Sequence, residues 1–309
     1  MRCVSAIPRP ALALGAVLSL AAAHAVAQSP APSASYADEV LAWRAARETR
    51  LRSETGWLTL AGLFWLKPGE NAFGSDPHNP IRLPASAPPR AGVIEFSQGQ
   101  ARYRLAKGVA ATLDGRPAPS EGLLRSDQDG SPSVLGLGPV TFFVIQRGDR
   151  YGVRVKDRAS AARRDFKGLE WFPVDESYRL TARFVPYDPP RELAVPNILG
   201  QVERLPSPGY AEFTLQGRAF RLEPVLEEPG AQELFFIFRD PTAGHGSYAA
   251  GRFLYAALPK DGTLVLDFNK AYSPPCAFTR YATCPLPPAQ NRLDVAIQAG
   301  ERFSGPHAP

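Results

Sequence analysis

The sequence is poor in the residues and motifs on which several common kinds of site depend. It contains three cysteines and four histidines in 309 residues. Its 35 basic and 30 acidic side chains leave a formal charge of +5, which is too small and too scattered to indicate nucleic-acid binding. A P-loop, a dinucleotide-binding glycine fingerprint and a Gly-x-Ser-x-Gly nucleophile elbow are also missing. We therefore expect no cofactor and no nucleic-acid partner.

Long hydrophobic runs are also scarce, and the one that is present lies near the N-terminus. Arg2 and Arg9 precede an apolar run over residues 11–20, and Ala25-Val26-Ala27 is typical of a signal-peptide cleavage site. No later run reaches the roughly 18–20 apolar residues that a transmembrane helix needs. A buried helix is the alternative, but its N-terminus would be basic and uncapped. We predict that residues 1–27 are a signal peptide and that the protein is periplasmic or secreted, with no transmembrane segment after signal removal.

Two cysteines would remain in the exported chain, Cys276 and Cys284. An even, closely spaced pair in an oxidising compartment favours a structural disulfide. A reduced pair with a reactive thiol is one alternative. A metal site is a weaker one, because His78, His245 and His307 are far apart in sequence. We expect no metal site.

Proline is abundant, with 32 residues, and this disfavours long helices. One helix is predicted, from Tyr36 to about Ser53, with Ser35 as its N-cap. The helix is basic, and its charged face either meets an anionic partner or is simply solvated. We favour the solvated face for its arginines: Arg44, Arg47, Arg50 and Arg52.

The rest of the chain shows short apolar and aromatic runs separated by turn signals, which predicts a mostly β fold. Leu234–Phe238 is apolar on both faces and predicts a central strand. Lys260-Asp261-Gly262 predicts a hairpin between residues 252–258 and 264–269. The proline-rich stretch at residues 186–190 reads as a linker or an extended edge. The predicted organisation is 1–27 signal peptide, 28–53 tether and N-terminal helix, 54–160 β-sandwich module, and 161–309 C-terminal β module with a Pro-rich tail.

Several strings of residues are specific enough to suggest a family. They are Gly56–Leu58, Gly62–Leu66, Gly152–Asp157, Gly244–Arg252, Leu266–Tyr272, Pro274–Thr279, Thr283–Pro288 and Asn291–Leu293. Together they resemble the bacterial family catalogued as domain of unknown function 1684, over nearly the whole mature chain. This resemblance implies no established activity and no catalytic residue.

The first module also resembles, more weakly, a forkhead-associated (FHA) sandwich, through Gly74-Ser75, Ile81–Leu83, Gly92 and Asp114-Gly115. Such domains bind phosphothreonine through an arginine after the glycine and a Ser-x-x-His motif. Here Ser75 stands at the arginine position, and Ser86 is not followed by a histidine. The resemblance therefore implies the fold and not the ligand.

Polar residues near the ends of the last strands predict a cleft. Arg252 alternates with Leu254, Ala256 and Leu258, so it needs a carboxylate partner on an apolar face. Asp267 is the best candidate because its strand comes next, and Asp240 is the other. The full set predicted to line one cleft is Asp240, Ser247, Tyr248, Arg252, Asp267, Asn269 and Tyr272. The alternative is a buried ion pair that holds the C-terminal segment against the sheet.

These features favour a periplasmic module that binds a small molecule or a protein through the C-terminal cleft, without catalysis. A hydrolase-like enzyme that uses Asp240 or Asp267 is one alternative, since paired carboxylates can act as acid and base. A structural envelope protein is another. The sequence does not decide whether the protein is an enzyme.

Overall fold

Helix α1 spans Tyr36–Arg52, as the sequence predicts. The structure, a computed structural model, describes residues 35–305, so the predicted signal peptide lies outside the described residues. The Ser35 hydroxyl accepts a hydrogen bond from the Asp38 amide, and the Asp38 carboxylate accepts one from the Ser35 amide. This capping box fixes the start of the helix.

The described residues 60–157 contain eleven strands that form two sheets. The strands are β1 Leu60–Trp65, β2 Gly69–Gly74, β3 Ile81–Arg82, β4 Gly92–Ser97, β5 Gln100–Leu105, β6 Thr112–Leu113, β7 Arg116–Pro117, β8 Glu121–Leu124, β9 Leu135–Leu137, β10 Val140–Arg147 and β11 Arg150–Asp157. One sheet has the order β1-β11-β10-β9-β6-β7 and the other the order β3-β2-β4-β5-β8. Side chains from both sheets share one core, with Phe73, Ile94, Tyr103, Phe142 and Val153 fully buried. This module is the predicted sandwich.

The remaining described residues form three smaller sheets. A short helix α2, Ala161–Arg164, precedes them. The strands are β12 Glu170–Trp171, β13 Arg179–Pro196, β14 Val202–Leu215, β15 Arg218–Leu222, β16 Glu233–Phe238, β17 Arg252–Ala257, β18 Thr263–Asp267 and β19 Glu301–Arg302. The sheet orders are β15-β14-β13-β18, β16-β17 and β12-β19. The mostly β fold class is confirmed, whereas the residue limits of the two modules stay predictions.

The run Leu234–Phe238 is fully buried, but in the described sheets its strand β16 forms a ladder only with β17. Its alternate residues face two different cores. Leu234, Phe236 and Phe238 pack in one core, and Phe235 and Ile237 pack in the other. The apolar character on both faces therefore reflects two cores, and the prediction of a central strand is wrong.

One further expectation about strand pairing needs correction. The Lys260-Asp261-Gly262 turn is formed, since Lys260 and Thr263 exchange backbone hydrogen bonds, but the strands beside it do not pair with each other, because β17 pairs with β16 while β18 pairs with β13. Of the two interpretations of residues 186–190, the extended one agrees with the structure, because these residues lie inside the long strand β13, where the register with β14 shifts between Pro186 and Arg191. Prolines are tolerated there because the irregularity leaves no ladder bond for them to donate.

After β18 the chain is largely irregular and is held by a covalent bond. The predicted disulfide joins Cys276 and Cys284, whose Cα atoms are 6.2 Å apart. A closed loop of this size contributes about 2–3 kcal/mol by restricting the unfolded chain. None of the helices within residues 35–305 is both long and apolar enough to cross a membrane.

Candidate functional site

The residues predicted to share one cleft are divided among separate places. Asp240, Ser247 and Arg252 lie in a sealed polar network inside the C-terminal module. Asp267 and Asn269 anchor helix α1. Tyr272 lines an open groove and Tyr248 packs beneath the disulfide segment.

The sealed network is centred on Arg252. Its side chain is 0% exposed, and its Nη2 atom lies 2.9 Å from Oδ1 of Asp240, whose side chain is 1% exposed. Arg252 also donates hydrogen bonds to the carbonyl oxygens of Ile297 and Ala299. Burial lowers the pKa of the guanidinium, and the Asp240 charge opposes that shift. The network is closed to solvent and holds the C-terminal segment to β17.

The partner of Arg252 is therefore Asp240, and the expectation that Asp267 is the best candidate is wrong. The physical reason is strand pairing. Arg252 lies opposite Phe238 at the end of β16, and the chain reaches Asp240 two residues later. Asp267 lies opposite Arg179 on β13, in a different sheet.

Ser247 belongs to the same sealed network and is not a nucleophile in an open site. Its Oγ atom lies 2.8 Å from Oγ1 of Thr242, which in turn donates to the Asp240 carboxylate. The Asp240 carboxylate also accepts a hydrogen bond of 2.8 Å from the Ile297 amide. These bonds satisfy the buried carboxylate from several directions, which is what a structural ion pair requires.

Asp267 and Asn269 hold the first turn of α1. The Tyr36 hydroxyl donates to Oδ1 of Asp267 at 2.8 Å and accepts from Nδ2 of Asn269 at 2.8 Å. Burial and the Asp267 carboxylate raise the pKa of Tyr36. Lys270 completes the cluster with an ion pair of 3.1 Å to Asp267. Both predicted site residues therefore connect the helix to the module, and Asp267 also borders the groove described below.

Arg47 also attaches helix α1 to the C-terminal module, although its side chain was predicted to be solvated. Arg47 is buried, donates to the Ser273 carbonyl oxygen at 2.9 Å and lies 3.5 Å from the carboxylate of Glu301. Its guanidinium also stacks over the Tyr272 ring, 4.6 Å from the centroid. Arg44 is buried as well and stacks over Trp171 at 4.8 Å. The prediction of a solvated face is wrong for these two arginines, because aromatic rings cover their guanidinium groups.

Glu301 is the buried counter-charge of Arg47 and is fully shielded from solvent. The preceding residue, Gly300, has φ +83°, and a Cβ there would lie 2.4 Å from the Ala271 carbonyl oxygen. Glycine is thus needed to turn the chain so that Glu301 points inward. Burial raises the pKa of Glu301, and Arg47 acts in the opposite direction.

An open groove of about 880 Å³ lies between α1 and strands β17 and β18. Four aromatic side chains line it, Trp43, Trp57, Tyr255 and Tyr272. The charged residues on its walls include four cations and two acids: Arg47, Arg50, Arg179, Lys270, Glu233 and Asp267. Aromatic faces and cations around an open concave surface are suited to a ring-bearing anion.

The tyrosines of the groove are neutral hydrogen-bonding groups. Burial raises the pKa of Tyr272 to about 12, with Arg47 opposing the shift. Burial also raises the pKa of Tyr255, whose hydroxyl donates to the Glu227 carboxylate. Phenols with raised pKa values can donate or accept hydrogen bonds but are poor bases near neutral pH.

Tyr248 does not line the groove, and its hydroxyl donates a hydrogen bond of 3.1 Å to the Cys276 carbonyl oxygen. Burial raises its pKa, and its ring packs edge-on against Phe303. Of the predicted site residues, Tyr272 and Asp267 line the groove. Sequence reasoning missed Trp43, Trp57 and Tyr255 as site residues, because only the fold brings α1 beside β17.

Within residues 35–305, no three His, Cys, Asp or Glu side chains are close enough together to hold a metal ion. The groove presents aromatic rings, cations and hydrogen-bonding groups.

Comparison with known proteins places these residues in a family. Residues 164–302 match the profile described as "Protein of unknown function (DUF1684)". A solution structure of an uncharacterised protein from Haloarcula marismortui is 35% identical, and the match covers 45% of this chain and 78% of that one, with a TM-score of 0.39. The chain belongs to the DUF1684 family. No curated protein sequence matches it.

The part of this DUF1684 protein matched by the family profile includes the predicted strings from Gly244 to Leu293. The strings at Gly56–Leu66 and Gly152–Asp157 lie before it. Six of the groove-lining residues named above fall inside the matched range: Arg179, Glu233, Tyr255, Asp267, Lys270 and Tyr272. Trp43, Arg47, Arg50 and Trp57 fall outside it.

Forkhead-associated domains are also among the similar structures. The FHA domain of FhaA, solved with the intracellular domain of another protein, is 20% identical, covers 30% of this chain and 97% of its own, and has a TM-score of 0.22. Mycobacterium tuberculosis EmbR, in complex with a low-affinity phosphopeptide, is 12% identical, covers 40% of this chain and 31% of its own, and has a TM-score of 0.21. The hydroxyl of Ser75, at the position of the expected arginine, donates to the Ala87 carbonyl oxygen.

Proposed function

We propose that this protein is a binding module that takes a small, ring-bearing organic anion in the groove between α1 and the C-terminal module. The observation that carries the proposal is the combination of four aromatic side chains with a surplus of cations in one open groove. A flat ring would stack on the aromatic faces, while its anionic group would meet the cations.

The cations of the groove differ in whether they already have an ion-pair partner. Arg47 is paired with Glu301, and Lys270 is paired with Asp267. Arg50 is exposed, and among residues 35–305 its guanidinium forms no ion pair within 4 Å. Arg50 therefore offers the donors that a bound carboxylate or phosphate group can use without breaking an existing bond.

Binding without catalysis is favoured over a hydrolase that uses Asp240 and Asp267. Asp240 is sealed against Arg252, and Asp267 is engaged by Tyr36 and Lys270. The tyrosines have raised pKa values, which make them poor bases, and they would offer their aromatic faces to the ligand. A binding role requires no change in the contacts that Asp240, Asp267 and the tyrosines already make.

The test is a titration followed by tryptophan fluorescence, since Trp43 and Trp57 line the groove. Phenyl phosphate and glucose 6-phosphate are compared with phenol and glucose, which separates the ring from the charge. We expect saturable binding of at least one phosphate ester and at least about tenfold weaker binding of its neutral counterpart, because charge-assisted hydrogen bonds are lost.

The matched variants are Arg50→Gln and Arg102→Gln. Arg50 lines the groove, whereas Arg102 lies on strand β5 of the sandwich module. We expect Arg50→Gln to weaken the binding of the phosphate ester about tenfold and Arg102→Gln to leave it unchanged. Equal affinity for the charged and neutral probes, or equal effects of the two substitutions, would contradict the proposed site.

We also propose that the protein acts outside the cytoplasm. Support comes from residues 1–27 of the sequence, with their basic start, apolar run and Ala25-Val26-Ala27, and from the closely spaced cysteine pair. N-terminal sequencing of the protein from the periplasm or the medium is expected to begin at Gln28. Recovery of the protein only in the cytoplasm, with Met1 intact, would refute export.

A further inference from the structure

A second charged cluster lies between the two modules, on the opposite face of strands β10 and β11 from the sandwich core. Arg147 and Arg154 share this face, because Arg154 is opposite Phe143 and Arg147 is opposite Arg150 in the antiparallel register. Val144 and Val153, which lie opposite each other in the same pair of strands, point into the sandwich core. The face is covered by the C-terminal segment that carries Thr283.

Both guanidinium groups converge on one neutral oxygen. The Thr283 Oγ1 atom accepts from Nε of Arg147 at 3.1 Å and from Nη2 of Arg154 at 3.1 Å. A hydroxyl oxygen has two acceptor positions, and both are used here. Thr283 therefore satisfies two donors but neutralises neither charge.

The charges of the cluster do not balance. Arg147 has one carboxylate partner, Asp127, at 2.9 Å. Arg154 is 4% exposed, its Nε atom has no hydrogen-bond partner, and no carboxylate within residues 35–305 lies within 4 Å of it. Burial and the neighbouring Arg147 lower the pKa of Arg154 to about 10, while the more distant Asp127 carboxylate opposes the shift, so Arg154 is charged at neutral pH. A buried cation without a counter-ion is costly and is rare in proteins.

A cavity of about 580 Å³ borders this cluster, with Arg147 and Thr283 in its wall. Its lining includes a further cation, Arg204, and the amide side chain of Gln128, which can donate to an anion. Its two acids are already engaged, since Glu203 accepts from Asn197 and Glu227 accepts from Tyr255. The cavity walls thus carry two arginines and two glutamates, and each glutamate already accepts a hydrogen bond.

We infer that this cavity is a second binding site, built for a small oxyanion of the phosphate type that bridges the two modules. The anion would accept hydrogen bonds from Arg147 in the cavity wall, and its negative charge would offset part of the charge of Arg147 and Arg154, which share the Thr283 hydroxyl. Because Arg147 and Arg154 belong to the sandwich and Thr283 to the C-terminal module, binding would tie the modules together. The site is separate from the proposed groove and does not depend on it.

The test is thermal unfolding of the mature protein in inorganic phosphate, with chloride at the same ionic strength as the reference. We expect the melting temperature to rise with phosphate concentration and to saturate, as ligand binding to the folded state requires. A matched calorimetric titration with inorganic phosphate gives the dissociation constant.

Two variants locate the effect. Arg147→Gln, in the cavity wall, is expected to raise the dissociation constant for phosphate at least tenfold. Arg154→Met should also remove the response to phosphate, without loss of stability in chloride, since it replaces an unpaired buried cation by an apolar chain. If Arg154→Met does not fold, the dissociation constant of Arg147→Gln for phosphate alone decides whether the anion binds in this cavity.

The groove variant Arg50→Gln separates this site from the proposed function. It should leave the response to inorganic phosphate intact, while Arg147→Gln should leave the binding of phenyl phosphate intact. A melting temperature that does not respond to phosphate, or a response equal in the wild type and Arg147→Gln, would overturn the inference without touching the groove.

Discussion

Replacing Arg252 with alanine is expected to lower the free energy of unfolding by about 3–5 kcal/mol, because Asp240 would remain buried without its cation. Both side chains are sealed, with exposures of 0% and 1%. The substitution also removes the donors to the Ile297 and Ala299 carbonyl oxygens. Urea denaturation at neutral pH measures the change directly.

Asp267 provides the matched control for this prediction. A double-mutant cycle between Arg252→Ala and Asp240→Asn should show strong coupling, whereas the cycle between Arg252→Ala and Asp267→Asn should be close to additive. The difference follows from the 2.9 Å contact of Arg252 with Asp240 and the engagement of Asp267 with Tyr36 and Lys270. Coupling of Arg252 to Asp267 instead of Asp240 would contradict the pairing of Arg252 with Asp240.

Replacing Arg47 with alanine is expected to cost about 3–5 kcal/mol near pH 7, because it leaves the Glu301 carboxylate buried without its cation. Burial already raises the pKa of Glu301, and Arg47 is the main group that opposes the shift. Its removal would raise the pKa further. The variant should also lose the hydrogen bond to Ser273 and the stacking on Tyr272 that hold helix α1.

The pH dependence of this effect distinguishes it from a simple loss of packing. Because the pKa of Glu301 is higher in the folded state, the folded protein binds more protons than the unfolded one above about pH 4.5. The stabilising contribution of the protonated carboxyl is complete below that pH and is lost as the pH rises through the folded pKa. Urea denaturation of Arg47→Ala should therefore show a smaller loss at pH 4.5 than at pH 7.

Glu301→Gln in the Arg47→Ala background is the control. A neutral amide in place of the carboxylate should recover much of the stability at pH 7 and flatten the dependence on pH, since the buried charge is gone. A loss in Arg47→Ala that is the same at both pH values, and that Glu301→Gln does not reduce, would show that Glu301 is not the origin of the cost.

Local features of the fold were predictable because local residues determine them. Ser35 was predicted as the N-cap of α1, and its capping partner, Asp38, is only three residues away. The pairing of Cys276 with Cys284 follows from their spacing. In contrast, the hairpin at Lys260–Gly262 was predicted from a turn signal that cannot show that β17 and β18 enter different sheets.

The candidate site was harder to predict, because its groups come from distant parts of the chain. Arg47 reads as a surface residue from its position in a basic helix, yet it is buried by Tyr272 and Glu301, more than 200 positions later. Likewise, Trp57 and Tyr255 become neighbours of one groove only after the helix docks. Alternation correctly placed Arg252 on an apolar face but could not choose between two carboxylates.

The central claim is that the open groove, and not the sealed network around Arg252, binds the ligand. A titration of isotope-labelled protein with phenyl phosphate, followed by NMR, tests it most directly. We expect the indole signals of Trp43 and Trp57 to shift with a common dissociation constant, while the indole of Trp65 and the amides of Ser247 and Arg252 stay in place. Shifts centred on Ser247 and Arg252, with Trp43 and Trp57 unaffected, would contradict it.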